Sequence, residues 1–313
     1  MKYRRLGHTD LDVPLLGFGA APLGGEYGAI DPAEGERAVH HAIDHGITFF
    51  DTAPYYGRTL SESRLGKALA GRRHEVMIAT KCSRYGLDDF DFSAKRVEQS
   101  IDESLARLRT DYVDLFQIHD IEFGDLKQVI DEAVPAARRV QQAGKARYIG
   151  ITGLQLKPLR QVAEAAPVDT ILSYARYNLM VRDLDELMTP FATQHGIGLI
   201  NASPLHLRIL TPSGAPDWHP AAPEVKEMGR KVVELCERRG WPAPKVALRF
   251  CLDHPYVSTT LVGLATVDQV RQNLEILNES TDADLLAEID ELVRPVMNQI
   301  WPSGLPENHD YAS

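Results

Sequence analysis

The sequence predicts an α/β chain folded as a (β/α)8 barrel, and three observations carry that reading. Eight short apolar runs alternate with stretches of helical period along 313 residues. Three successive runs end in an ionisable residue, on the face where barrel enzymes keep their sites. The glycine fingerprint of a doubly wound sheet, the alternative architecture, is degenerate: GFGAAP at Gly17–Pro22 has proline where the third glycine belongs, with Glu34 or Glu36 as its acidic follower.

Taken in order, the candidate strands are Val13–Gly17, Ile47–Asp51, Val76–Lys81, Tyr112–His119, Ala146–Gly150, Thr170–Tyr174, Gly198–Ala202 and Val257–Val262. Helical stripes fall between them. Val97, Ile101, Leu105 and Leu108 lie on one face after the third run, and Leu126, Val129, Ile130, Val134 and Ala137 follow the fourth. Leu159, Val162, Ala163 and Ala166 follow the fifth, Leu184, Leu187, Met188 and Phe191 the sixth, and Val267, Val270, Leu274 and Leu277 the eighth. Gly46, Gly144 and Gly196 stand where a helix would end in a left-handed cap. No composition shift or linker divides the chain, so residues 1–313 read as one domain. Two segments lie outside the repeat: Leu205–Pro223, and a helical pattern from Leu285 to Val296 that runs into Trp301–Ser313. Additions of this kind on a barrel tend to be lids or substrate walls.

Composition excludes several classes of function. Forty-four acidic against 34 basic residues give a formal charge of −10, so neither nucleic acid nor an anionic membrane is an expected partner. The three cysteines, Cys82, Cys236 and Cys251, show no pairing pattern, which suits a reducing compartment. No apolar run approaches the ~20 residues of a membrane span, and MKYRRLGHTD lacks the apolar centre of a signal peptide. The chain reads as cytoplasmic. The histidines show no ligand spacing, and no metal is expected.

The chemistry is written at the strand ends. Asp51 closes ITFFD, Lys81 closes VMIATK and His119 closes YVDLFQIH, while Tyr56 sits on the loop leaving Asp51 in FDTAPYYG. A lone Lys–Asp pair is more often a structural salt bridge, and a lone histidine a satisfied core residue. Four such groups from three adjacent strands argue instead for a polar pocket. A lysine cation favours phenolate, an aspartate keeps that lysine charged, and the imidazole orients a substrate oxygen. The set suits proton transfer at an alcohol or carbonyl oxygen. It does not suit acyl transfer, since no GxSxG or Cys/His pairing accompanies it, and no Walker loop is present.

Through these residues the chain resembles the aldo-keto reductases along nearly its whole length. RRLGHTDLDV, LLGFGAAPLG, FDTAPYYG, ATKC, DYVDLFQIH, GKARYIGIT and VDQVRQN fall in the family's order. The resemblance implies the barrel with an N-terminal β-hairpin and loop and C-terminal additions, and a catalytic tetrad of Asp51, Tyr56, Lys81 and His119 with Tyr56 as proton donor or acceptor. It also implies a nicotinamide dinucleotide held without a Rossmann domain. Several positions depart from the family. Thr152–Gly153 replaces a Ser–Asn pair, Tyr174 replaces a glutamine, and Ala202 stands where an aromatic often stacks on the nicotinamide. Thr152, Gly153, Tyr174, Ser203 and Leu205 are the expected contacts at that end of the cofactor. At the adenosine end, Gly263 and Gln269 replace the lysine and arginine that grip a 2′-phosphate, while Arg271 is nearby and Gln272 and Asn273 remain for the adenine. Each missing charge-assisted bond is worth ~1.5–3 kcal/mol, so the cofactor implied is NAD rather than NADP.

HDIEFG, GITGL, ASPL, PDWHPAAPE and WPSGLPEN are most similar to the family's sugar 1-dehydrogenases of the L-galactose, L-fucose and D-threo-aldose type. That resemblance implies oxidation of an aldopyranose at its anomeric hydroxyl to a lactone. Asp120 and Glu122 would bond sugar hydroxyls, alongside Tyr56 and His119, and Trp218 and Trp301 would stack on the ring. The alternatives are a dehydrogenase of another small alcohol or aldehyde, such as D-arabinose or pyridoxal, and a non-catalytic, redox-sensing dinucleotide-binding module.

Overall fold

A computed structural model describes residues 1–310. Eight parallel strands close into a barrel in the order β10-β3-β4-β5-β6-β7-β8-β9. In chain order they are β3 (Leu16–Gly19), β4 (Phe49–Asp51), β5 (Met77–Cys82), β6 (Val113–Ile118), β7 (Ala146–Gly153), β8 (Thr170–Tyr174), β9 (Gly198–Ala202) and β10 (Thr259–Gly263). The doubly wound alternative is thereby overturned. A hairpin of β1 (Tyr3–Arg5) and β2 (Asp12–Pro14) precedes the barrel. It carries Leu6, Leu11 and Val13 into the same cluster as Phe49, Ala79, Leu115, Leu172, Ile200 and Leu261, the inward residues of six strands. The hairpin therefore plugs the end opposite the strands' C-terminal ends, as strand alternation requires of a filled barrel.

The first candidate strand is corrected. Val13–Gly17 straddles two elements, because Val13 pairs with Arg4 in the hairpin whereas Leu16–Gly19 pairs with β10 and β4. Both pieces are apolar and buried, so hydrophobicity alone does not mark the break at Leu15.

The helices ring the barrel: α1 (Pro32–Asp44), α2 (Leu60–Ala68), α3 (Ala94–Leu108), α4 (Leu126–Gln128), α5 (Val134–Gln142), α6 (Leu156–Ala165), α7 (Asp183–Leu187) and α8 (Thr189–His195). They continue as α9 (Pro223–Arg238), α10 (Ala243–Leu252), α11 (Val267–Ile276) and α12 (Ala283–Val293). Between α4 and α5 the chain makes a π turn at Val129–Ala133 just before Pro135, whose missing N–H breaks the α-helical ladder. Gly46, Gly144 and Gly196 all take positive φ at helix ends, as their spacing predicts. Two helices, α9 and α10, lie between β9 and β10 where the repeat leads one to expect one.

The C-terminal segment, whose last three residues lie outside the described part, runs back over the strand-end loops. Leu305 donates its N–H to Glu122 O at 2.9 Å, and Asn308 Nδ2 donates to the carbonyls of Glu122 and Gly124, both at 2.9 Å. Asp310 ties the segment down, 2.7 Å from the fully buried Arg176 guanidinium, which Asp183 also engages. The cysteines are buried and unbridged. Among the described residues no helix is long and apolar enough to cross a membrane, and no three His, Cys, Asp or Glu side chains gather to hold a metal ion.

Candidate active site

The site is built on the register of three neighbouring strands. Lys81 and Gln117 are in-register partners on β5 and β6, so their side chains share a face, and Asp51 ends β4 beside Ala79. All three face inward at the strand ends. The Lys81 ammonium pairs with Asp51 Oδ1 and donates to the Thr52 carbonyl at 2.9 Å, while Gln117 Nε2 donates to Asp51 Oδ2 at 3.0 Å. Both carboxylate oxygens are thus satisfied without water, as a buried pair requires.

Tyr56 is presented by the loop leaving β4. Gly57, at φ +61°, lies so close to Gly24 that a Cβ there would stand 2.1 Å from the Gly24 oxygen, so only glycine permits this approach. The half-buried Tyr56 hydroxyl is 3.3 Å from Lys81 Nζ, and its ring meets the His119 ring at 5.8 Å and 88°. His119 follows β6 by one residue, two beyond Gln117, and so points inward as well. The four residues expected at the strand ends therefore converge.

The electrostatics depart from expectation at Tyr56. Burial holds the phenol well above its ordinary value, and Asp51 and Asp120 push the same way against Arg84. A lysine already neutralised by its own aspartate does not offset this, so the resting group is the neutral phenol. Burial pushes the His119 imidazole down to about 3, with Lys81 and Arg84 acting the same way against Asp120. The ring is neutral near pH 7, and its buried Nδ1 has no hydrogen-bond partner in the protein.

Asp120, at φ +49°, turns out of the strand end and accepts from Arg84, with Oδ2 3.6 Å from His119 Nε2. The Arg84 guanidinium lies 4.0 Å over the Tyr55 ring. Thr152 Oγ1 accepts the Asp120 N–H at 3.1 Å, so this hydroxyl helps to hold the turn after His119. Tyr174 ends β8 and Ser203 follows β9, both half-buried, with Ser203 at φ +60°; Leu205 packs against the cluster that contains Trp301.

Three residues expected to touch sugar have other surroundings. Glu122 is wholly buried, with Oε1 accepting the Leu154 N–H at 2.9 Å and Ser303 Oγ at 3.4 Å. Burial and Asp120 push its carboxyl up to about 8 against the Leu154 N–H, and a Cβ at Gly153 would stand 2.4 Å from its unpartnered Oε2. A side chain at 153 would therefore have to displace the Glu122 carboxylate. Trp301, 7% exposed, packs against both the His206 and the His219 rings, at 5.4 and 5.0 Å. Trp218 is 57% exposed and stacks on His219 at 6.0 Å. These positions follow from where the C-terminal segment lies, which sequence spacing does not encode.

At the far end, Gly263 is exposed beside Pro22. Gln269 closes a capping box with Thr266, Asn273 Nδ2 donates to the Gln269 carbonyl at 2.7 Å, and Gln272 is exposed. Sequence reasoning missed Gln117 and Arg84. For Gln117 the available signal is faint, a single amide within the apolar run DLFQIH.

A model of the Aldo/keto reductase family matches residues 15–294. L-galactose dehydrogenase of Arabidopsis thaliana is 44% identical over 98% of this chain and 99% of its own length. D-threo-aldose 1-dehydrogenase of a Pseudomonas species is 30% identical over 90% of this chain and 94% of its own. The solved holo form of aldo-keto reductase AKR11C1 from Bacillus halodurans superposes with a TM-score of 0.80 at 28% identity, covering 97% of this chain and 99% of that one.

Proposed function

The chain belongs to the aldo/keto reductase family, and from that premise we propose that it is an NAD-dependent sugar 1-dehydrogenase built on a single barrel domain. The reaction is oxidation of an aldopyranose of the L-galactose or L-fucose type at its C1 hydroxyl to the aldonolactone. The observation that carries the reading is the convergence of Tyr56, Lys81, Asp51 and His119 at the strand ends. The similarity to the two sugar dehydrogenases supports the substrate class.

The donor set fits a nicotinamide dinucleotide with an alcohol beside it. The unpartnered Nδ1 of a neutral, buried His119 and the half-buried Tyr56 hydroxyl suit one substrate oxygen, and Thr152, Tyr174 and Ser203 supply hydroxyls for a carboxamide. Leu205, Gly263, Gln272 and Asn273 would line the rest of the cofactor. Bound NAD+ supplies the hydride acceptor. The Tyr56 phenolate, formed when the neutral phenol gives its proton to solvent, takes the proton of the C1 hydroxyl at Oη and returns to the phenol; the Lys81 cation stabilises the phenolate before that transfer, and Asp51 with Gln117 holds Lys81 in place. His119 orients the substrate oxygen by hydrogen bonding. Arg84 and Asp120 fix the turn that presents His119.

Product analysis tests the reading. Incubation with L-galactose or L-fucose and NAD+ should yield one lactone per NADH, absent in Tyr56→Phe, whose NADH binding should persist. Lactone formation by Tyr56→Phe at the wild-type rate would remove Tyr56 from the chemistry.

A further inference from the structure

The turn entering α11 is closed by the chain's own acceptors. Gln269 Oε1 accepts the N–H groups of Ala265 at 2.8 Å and Thr266 at 3.3 Å, and Thr266 Oγ1 accepts the Gln269 N–H at 3.2 Å. The Val267 N–H is met from a different helix: Glu34 Oε1, on α1, accepts it at 2.8 Å. The other Glu34 oxygen accepts from Arg37 at 3.0 and 2.6 Å, which fixes the carboxylate in this orientation. The Val267 N–H and then Arg37 hold the carboxyl below its ordinary range, and its side chain is 27% exposed. Asp268 adds a second carboxylate to the same turn, 3.6 Å from Arg271.

A helix start ordinarily attracts anions, because its free N–H groups and the helix dipole present positive potential. At α11 the place is filled by the chain's own negative charge. We propose that Glu34 is a specificity-determining residue which excludes a 2′-phosphorylated dinucleotide, because its carboxylate takes the Val267 N–H that a phosphate would use and repels the phosphate. A ribose hydroxyl, which can donate a hydrogen bond to a carboxylate, meets no such barrier. This rests on the cofactor reading above, which puts the adenosine at the β10–α11 turn, and it adds repulsion to the missing cations at Gly263 and Gln269. The carboxylate comes from α1, more than 200 residues away in sequence, and reaches α11 because β3 and β10 are neighbours in the closed barrel.

The test is binding rather than turnover. The full-length wild type, Glu34→Gln and Glu34→Ala would each be titrated with NADH and NADPH by fluorescence, and with ADP and 2′,5′-ADP by calorimetry. Glutamine keeps an acceptor oxygen for Val267 while removing the charge, and alanine frees the N–H as well. The wild type should prefer NADH and ADP, and Glu34→Gln should narrow both gaps roughly three- to tenfold, less so as salt rises. Wild-type preference with unchanged gaps in both variants would overturn the role of Glu34 and leave the NAD reading standing. Equal binding of NADH and NADPH by the wild type, or binding of neither, would overturn both.

Discussion

Gln117 donates its side-chain amide to the Asp51 oxygen that Lys81 leaves free, at 3.0 Å, from the position in register with Lys81 itself. The buried ion pair is therefore a triad spread over three consecutive strands. Replacing Gln117 by leucine, close in volume, strips one oxygen of a buried carboxylate of its partner. We expect a loss of about 1–3 kcal/mol in denaturant unfolding. A loss within experimental error would mean that Asp51 is satisfied without the amide.

The neutral phenol of Tyr56 gives the oxidation a direction in pH. Because burial and Asp51 hold its pKa above the ordinary value, proton acceptance by Tyr56 should become easier as pH rises. The rate of sugar oxidation should climb into the alkaline range, and His119, held down to about 3, adds no limb of its own near neutrality. Asp51→Asn removes the charge that raises the phenol, so the limb should move to lower pH. The same change strands the Lys81 cation and should cost about 3–5 kcal/mol of stability. A wild-type rate that falls between neutral and alkaline pH would contradict this assignment.

Glu122 makes stability depend on pH with a definite sign. Burial and then Asp120 raise its folded-state pKa to about 8 from the ordinary 4.5. The folded state therefore holds the proton more tightly than the unfolded one, and that stabilisation is complete below the unfolded value and lost as pH rises towards 8. Glu122→Gln keeps an oxygen for the Leu154 N–H and removes the titration. Relative to wild type it should gain about 2–4 kcal/mol between the acid and alkaline ends of that window, read as melting temperature against pH. Parallel curves for the two proteins would show that Glu122 is ionised throughout.

The two tryptophans expected at the sugar should now separate. Trp301→Ala opens a cavity beside His206 and His219 and should cost about 3–5 kcal/mol. Trp218→Ala, at an exposed position, should change stability by no more than about 0.5 kcal/mol. A raised KM for sugar in Trp218→Ala at unchanged kcat would assign it to substrate binding. Unfolding costs of similar size in both variants would contradict the packing described for Trp301.

The strand ends were legible because an ionisable residue closing an apolar run must face something polar, and Asp51, Lys81 and His119 each announce themselves that way. The barrel itself followed from eight repeats and the glycine caps. Gln117 hid among its apolar neighbours because an uncharged amide barely disturbs the pattern of DLFQIH. Glu34 was noticed only as a possible ribose ligand for a fold that the closed barrel rules out; its reach to Val267 depends on β3 lying beside β10. The surroundings of Glu122 and Trp301 were out of reach for a similar reason. Whether a loop residue faces ligand or supports the C-terminal segment depends on contacts between residues some 180 positions apart, such as Ser303 with Glu122, and local spacing carries none of that.

The most direct test of the account is the initial rate of NADH or NADPH formation with NAD+ or NADP+ against L-galactose, L-fucose, D-arabinose, D-galactose and pyridoxal. The account predicts strong turnover of L-galactose or L-fucose with NAD+, much weaker turnover with NADP+, and little with the rest. No turnover of any of these sugars with either cofactor, or a clear preference for NADP+, would contradict it.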